Sequence, residues 1–318
     1  MSTASHPPNL RRALIAGILA NLGVAAGKFI AWFATHSTAM LAEAVHSLAD
    51  TSNQILLFVG MIRAERPADE DHPFGYSAER YFWGFVVAVN IFTLGAGVAI
   101  YEGVGKLLHP RPTENVLWNY GALGLAALFE SSALRVAWKE FGHWRKDHPG
   151  PIWKVFREAK DLSLPTLLFE DSAALIGLVI AALGIGLAHL TGREWFDGAA
   201  SVLIGCVLLA VAWFLASESH SLLIGESAAR RDRNRIREAL AGDPAIQEVV
   251  RLVTLQRGPQ WVLVALEIEF TDDLSTDQVE EAIRRLEEKI RRAVPSAGEI
   301  FIEAGVFPTL KGRSGTRS

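Results

Sequence analysis

The chain has 318 residues, half of them hydrophobic, with a formal net charge of −4 and a single cysteine, Cys206. That length allows two domains, and a lone cysteine allows neither an internal disulfide nor a cysteine metal cluster, which removes zinc-finger and redox readings. Apolar runs succeed one another up to about Ile224; beyond it "SAARRDRNRIREAL" and "EEAIRRLEEKIRRAV" interleave Arg with Glu and Asp, which gives no support to nucleic-acid binding.

A hydrocarbon core of roughly 30 Å needs about 20 mostly apolar helical residues. Six segments meet that requirement: 10–33, 38–62, 81–107, 116–138, 164–190 and 197–222. The first opens with Arg11 and Arg12 as a signal peptide would, but its apolar run continues through "KFIAWF" and further runs follow, so a first span is expected rather than a cleaved signal. Small residues in "GAGVA" and "GALGLAAL" are expected to let neighbouring helices approach closely. Basic residues sort by loop: Arg11 and Arg12, then Arg63, Arg66 and Arg80, then Lys139, Arg145, Lys146, Lys154, Arg157 and Lys160 on one side. The opposite loops hold only Lys106, Arg111 and Arg193, so both termini are expected in the cytoplasm.

The tail predicts a helix in "RDRNRIREALAG" closed by Gly242, then strands in "VVRLVTLQRG" and "WVLVALEIEF". In the second strand Val262, Val264, Leu266 and Ile268 alternate with other residues. A Ser/Thr-capped helix follows in "STDQVEEAIRRLEEKIRRAV", with Val279, Ile283, Leu286 and Ile290 at helical spacing, and "GEIFIEAGV" makes a third strand. The order predicts a sheet backed by two helices on one face. The expected division is a six-helix transmembrane bundle over 1–225, an α+β cytoplasmic domain over 226–310 and a disordered end over 311–318.

The second span contains "AEAVHSLADTSNQ", which sets Glu43, His46, Asp50 and Asn53 on one helical stripe. An ionised group near mid-bilayer costs about 2.5–3.5 kcal/mol or more, so such a cluster implies a use. His46 and Asp50 stand one turn apart, and a divalent cation suits imidazole with carboxylate. The alternative is interhelical hydrogen bonds and ion pairs, with Lys28 as one partner. The fifth span supplies Glu170 and Asp171, which diverge by about 100° around the helix, so one is expected to coordinate while the other pairs elsewhere or faces a water-filled path. Asn21, Asn90 and Glu130 read as packing residues, and Asp197 as a helix cap or a transport residue. In "RPADEDHPFGYSAER", Asp69, Asp71 and His72 form either a second, shallower cation site or a solvated turn before Pro73.

These motifs together, with "HPFGYSAERY" before the third span, resemble the cation diffusion facilitators, and most of all the branch that includes the mitochondrial zinc transporters of animals. The resemblance covers nearly the whole chain. It implies a homodimer that exports divalent metal, usually zinc, from the cytoplasm in exchange for protons, with metallochaperone-like (ferredoxin-like) tails that pair across the dimer. It also implies no enzyme activity, and no cofactor beyond Zn²⁺ as transported substrate. The family's second-span ligands fall on His46 and Asp50 and its fifth-span Asp on Asp171. Its remaining fifth-span ligand falls on Leu167, which cannot bind metal, so Glu170, Asn53 or a water completes the set. One His among oxygen ligands makes a harder site than two, and Mn²⁺, Fe²⁺ and Co²⁺ are alternatives to Zn²⁺.

All nine histidines lie at or before His220, so the tail is expected to serve dimerisation without a tight zinc site; Asp272, Asp273 and Glu303 are the carboxylates left there. Alternating access about the membrane site is the expected mechanism, with protons competing for the metal's lone pairs. Imidazole suits this because its ordinary pKa, about 6.5, lies near working pH. A membrane metalloprotease is disfavoured because the sequence has no HExxH. A membrane metal sensor or scaffold without flux is the competing class. The short N-terminus favours a bacterial inner membrane.

Overall fold

In a computed structural model the described residues are 38–110, 116–147 and 160–305, with part of 15–33; the side chains of 38–46, 118, 143, 144, 146 and 147 lie outside them. The chain divides into two units, Met1–Ser221 and Leu222–Ser318. Residues 306–318, including the end expected to be disordered, and most of the first expected span fall outside the described residues, as does Lys28.

The first unit is helical. Residues 21–27 form α1, followed by α2 (Thr38–Ala64), α3 (Glu79–Leu108), α4 (Val116–Asp147), α5 (Ser163–Thr191) and α6 (Trp195–Ile224). Three of these, α3, α5 and α6, are long and apolar enough to cross a membrane, with 30, 29 and 30 residues, or about 45 Å of helix each. The second and fourth expected spans are helical without joining that set. The polar stripe of α2 lowers its apolarity, and α4 carries Glu130, Arg135, Lys139 and Glu140. Large apolar side chains point outward along these helices: Tyr101 is 82% exposed, Trp213 75% and Leu128 70%. A water-facing surface would not tolerate so much exposed apolar area, whereas hydrocarbon does.

Inside the bundle, Val87, Ala88 and Ile91 of α3 pack with Ala212 and Leu215 of α6, and Leu56, Leu57 and Phe169 close around them. Ala137 and Phe141 of α4 meet Leu168 of α5 in a second cluster. Small residues permit the close approaches. A Cβ on Gly103 would lie 2.7 Å from the Val202 backbone nitrogen, so α3 and α6 touch backbone to backbone there. In "GALGLAAL", Ala122 and Ala126 are buried, at 8% and 1% exposed, while a Cβ on Gly121 or Gly124 would meet nothing within 4 Å among the described residues. The Arg80 guanidinium, 9% exposed, joins the start of α3 to Asp161 at 2.9 Å and to Ser163 Oγ at 3.2 Å. At the other end of α3, Lys106 pairs with Asp197 at 2.8 Å, which gives Asp197 an ion-pair partner at the start of α6.

α3 is not uniform. Ile91–Gly97 winds as a π-helix, and Thr93 Oγ1 donates back to the Val89 carbonyl at 2.9 Å. Such widened turns recur at functional sites because they redirect the side chains on either flank.

The second unit contains α7 (Arg230–Leu240), β1 (Ile246–Gly258), β2 (Trp261–Phe270), α8 (Thr276–Ala293) and β3 (Ala297–Ala304). The sheet order is β1-β2-β3, with β1 antiparallel and β3 parallel to β2. Val262, Val264, Leu266 and Ile268 are all buried against Ile236 and Leu240 of α7 and Leu286 and Ile290 of α8, so both helices cover one face. Gly242 ends α7 with φ +75° as the sequence predicts. Ser275 caps α8 in a reciprocal capping box with Gln278. Before α7 the chain runs against β1: Gln256 N donates to the Glu226 carbonyl at 2.7 Å, and Ala228 N to Thr254 Oγ1 at 3.0 Å.

Candidate metal centre

Period and burial bring the polar residues of four helices together. Asn53 of α2 is 3% exposed, and Asp50, one turn earlier, is half-buried. Asn53 Nδ2 donates to Glu170 Oε1 of α5 at 2.6 Å. Asn90 Nδ2 of α3 donates to Asn53 Oδ1, also at 2.6 Å. Glu170 also lies within electrostatic reach of Asp50. Asp171 lies within electrostatic reach of Glu130 on α4 and of Asp50.

Of the residues predicted from sequence, Asp50, Asn53, Glu170 and Asp171 occupy this region. The side chains of Glu43 and His46 lie outside the described residues, and the backbone alone places His46 one turn before Asp50 on α2. Among the described residues no three His, Cys, Asp or Glu side chains form a metal-holding group. Leu167 is half-buried one turn before Asp171. Asn90 enters the cluster although its sequence context suggested packing alone. Its one signal was a polar amide just before the Gly-containing "IFTLGAG".

The loop between α2 and α3 forms a closed turn. Asp69 Oδ1 accepts from the His72 backbone N–H at 2.7 Å, and Oδ2 accepts from the Tyr76 hydroxyl at 2.7 Å. His72 Nδ1 lies 3.6 Å from Asp69, and its ring packs on Tyr76 with centroids 4.2 Å apart. The Tyr76 hydroxyl and the His72 amide hold the Asp69 carboxyl below its ordinary pKa.

Comparison with known proteins bears on both units. The family profile for the cation efflux transmembrane domain matches residues 14–224, and that for the cation efflux protein cytoplasmic domain matches 228–304. The mitochondrial proton-coupled zinc antiporter of Mus musculus is 35% identical over 243 residues, which cover 76% of this chain and 43% of that protein. Metal tolerance protein C4 of Arabidopsis thaliana is 31% identical, covering 83% of this chain and 58% of its own length. A cation-efflux pump of Shewanella oneidensis is 27% identical with 79% of each chain covered. The chain thus spans about half the length of the first two relatives. With both units matched, the chain belongs to the cation efflux family, the cation diffusion facilitators.

Proposed function

We propose that this protein is a proton-coupled efflux transporter for a divalent cation, Zn²⁺ foremost, working by alternating access as a homodimer. The observation that carries the reading is the hydrogen bond from Asn53 of α2 to Glu170 of α5, which sets Glu170 against the helix turn that holds Asp50, a place where a proton and a cation compete for the same lone pairs. His46, Asp50 and Asp171 form the proposed ligand core, with Glu170 supplying the oxygen that Leu167 cannot. Zinc and proton enter this reading from the name of the mouse relative. One imidazole among carboxylates keeps Mn²⁺, Fe²⁺ and Co²⁺ as alternative cargo.

The finer architecture belongs to the same proposal: six spans, both termini cytoplasmic, a membrane domain over 1–225 and a dimerising tail over 226–310. The uncovered face of the tail sheet supports dimerisation, since Phe301 is 51% exposed and Val253 41%, and both flank Ala265 across the strands. The tail's role is pairing rather than tight zinc binding. The engagement of both Asp69 oxygens favours the turn reading of Asp69, Asp71 and His72 over a second ion site. A bacterial inner membrane is the proposed location, supported by the Shewanella relative, which is matched over most of its length.

The test is flux of Zn²⁺, Mn²⁺, Fe²⁺ and Co²⁺ into proteoliposomes under an imposed pH gradient. Asp50→Ala and His46→Ala are each expected to abolish proton-coupled zinc flux; full flux in either variant overturns the reading. A metal sensor or scaffold, the competing function, would bind zinc in the same preparation and show no flux.

A further inference from the structure

Asn90 and Asn53 form a two-step chain of amides that ends on Glu170, and chemistry dictates its direction. In the ionised form that a cation requires, the Glu170 oxygen only accepts, so the end of Asn53 that meets it is its NH₂. The carbonyl end of Asn53 then faces Asn90, which must offer its own NH₂. Turned over, Asn53 would set oxygen against oxygen at Glu170 and N–H against N–H at Asn90. Asn53 is 3% exposed, so no bulk water stands ready to repair such a mismatch. Asn90 is the last residue before the π-helical turn of α3.

We propose that Asn90 is a positioning residue for the ion site, acting through Asn53 to hold Glu170 in place. The inference rests on the ion-site reading above and deepens it. With Asn53 Nδ2 bound to Oε1, the Glu170 carboxyl is held against the face of α2 that carries Asp50, where the cation enters. Asn53 has its carbonyl engaged by Asn90 and its amide by Glu170, which gives it a supporting place between the two. The third span thereby takes part in metal affinity although it contributes no ligand.

The experiment uses the full-length protein in lipid nanodiscs for Zn²⁺ calorimetry and in proteoliposomes for flux. Asn90→Asp keeps the shape of the side chain but replaces the donor with an acceptor. It is expected to weaken zinc binding about tenfold, the worth of one buried hydrogen bond, and to raise KM in step while maximal flux and thermal midpoint stay near wild type. Should that variant fail to fold, Asn90→Leu, of similar volume, takes its place with the same expectation. Asn53→Leu is expected to weaken zinc binding by itself, and adding Asn90→Asp to it to change nothing more, because the relay is already cut. Wild-type zinc affinity in the Asn90 variant, or additive losses in the double variant, overturns the proposal. Asp50→Ala separates the two readings: if it leaves zinc binding intact, the ion site falls and the relay with it. If it abolishes binding while the Asn90 variant binds normally, the relay alone falls.

Discussion

Asp243 accepts hydrogen bonds from Arg285 Nε at 3.1 Å, Arg285 Nη2 at 2.8 Å, Lys289 Nζ at 2.8 Å and the Ala245 amide at 3.1 Å. The Arg285 bonds come first among the causes that hold its carboxyl well below the ordinary carboxylate pKa, with Lys289 and the Ala245 amide adding to them. Because the folded value is depressed, the stabilisation is fully present above about 3.8, the ordinary value, and fades as pH falls toward the lower folded one. Asp243→Asn is expected to cost the tail about 1–2 kcal/mol at pH 7, with half-exposed partners keeping the figure modest. Unfolding measured from pH 7 down to pH 2 should show the gap between variant and wild type closing below about pH 4; a gap unchanged at pH 2 would contradict this. Nothing in the local sequence "AGDPAIQ" announces the role, since Arg285 and Lys289 lie some forty residues away.

Asp69 gives the opposite lesson at the same scale. The spacing of Asp69, Asp71 and His72 was legible as a cation site or a turn, and sequence could not choose. The choice depends on where Tyr76 puts its hydroxyl, which only the folded loop specifies. Asp69→Ala is expected to leave zinc affinity unchanged while making 66–76 more sensitive to protease; a tenfold loss of affinity would restore the second-site reading.

Among the elements, the segment between α6 and α7 has the least slack. Gly225 sits at φ +120°, and a Cβ there would lie 2.6 Å from Leu255 Cδ1. Three residues later Ala228 is already tied to Thr254. Gly225→Val is therefore expected to cost about 1–3 kcal/mol of local stability, the usual range for a side chain forced into a Gly-only conformation. Hydrogen exchange at Ala228 and Gln256 reads this directly: both amides should exchange faster, and unchanged protection would show that the linker adapts. The regular elements themselves were largely legible. Period-two alternation identified β2, because one face of that strand is buried and the other is not. Helical spacing with a Ser cap identified α8, although Ala282 is buried more deeply than Val279 or Ile283. The π-helical turn in α3 left no periodic trace, since it adds one residue to a turn within an apolar run.

For the whole molecule, the proposed dimer makes the uncovered tail sheet the decisive surface. Phe301→Asp places a charge in the middle of that face, where burial against a second copy would leave it unpaired. The variant is expected to shift the purified protein from dimer toward monomer in light scattering; a dimer of undiminished stability would assign pairing to another surface.

Composition and period by themselves determined that this is a membrane protein with a charged α+β tail. Hydrocarbon demands long apolar helices, and water demands alternation and charge. The same logic singled out His46, Asp50, Glu170 and Asp171, because ionisable groups inside apolar runs are costly and therefore conspicuous. What the tertiary structure alone decided is how those groups are shared. It joined Glu170 to Asn53 and brought Asn90 in from a third helix. Helical period assigns a residue to a face of its own helix, but the partner on the next helix depends on packing, tilt and a local π-turn. None of these is written in any single span.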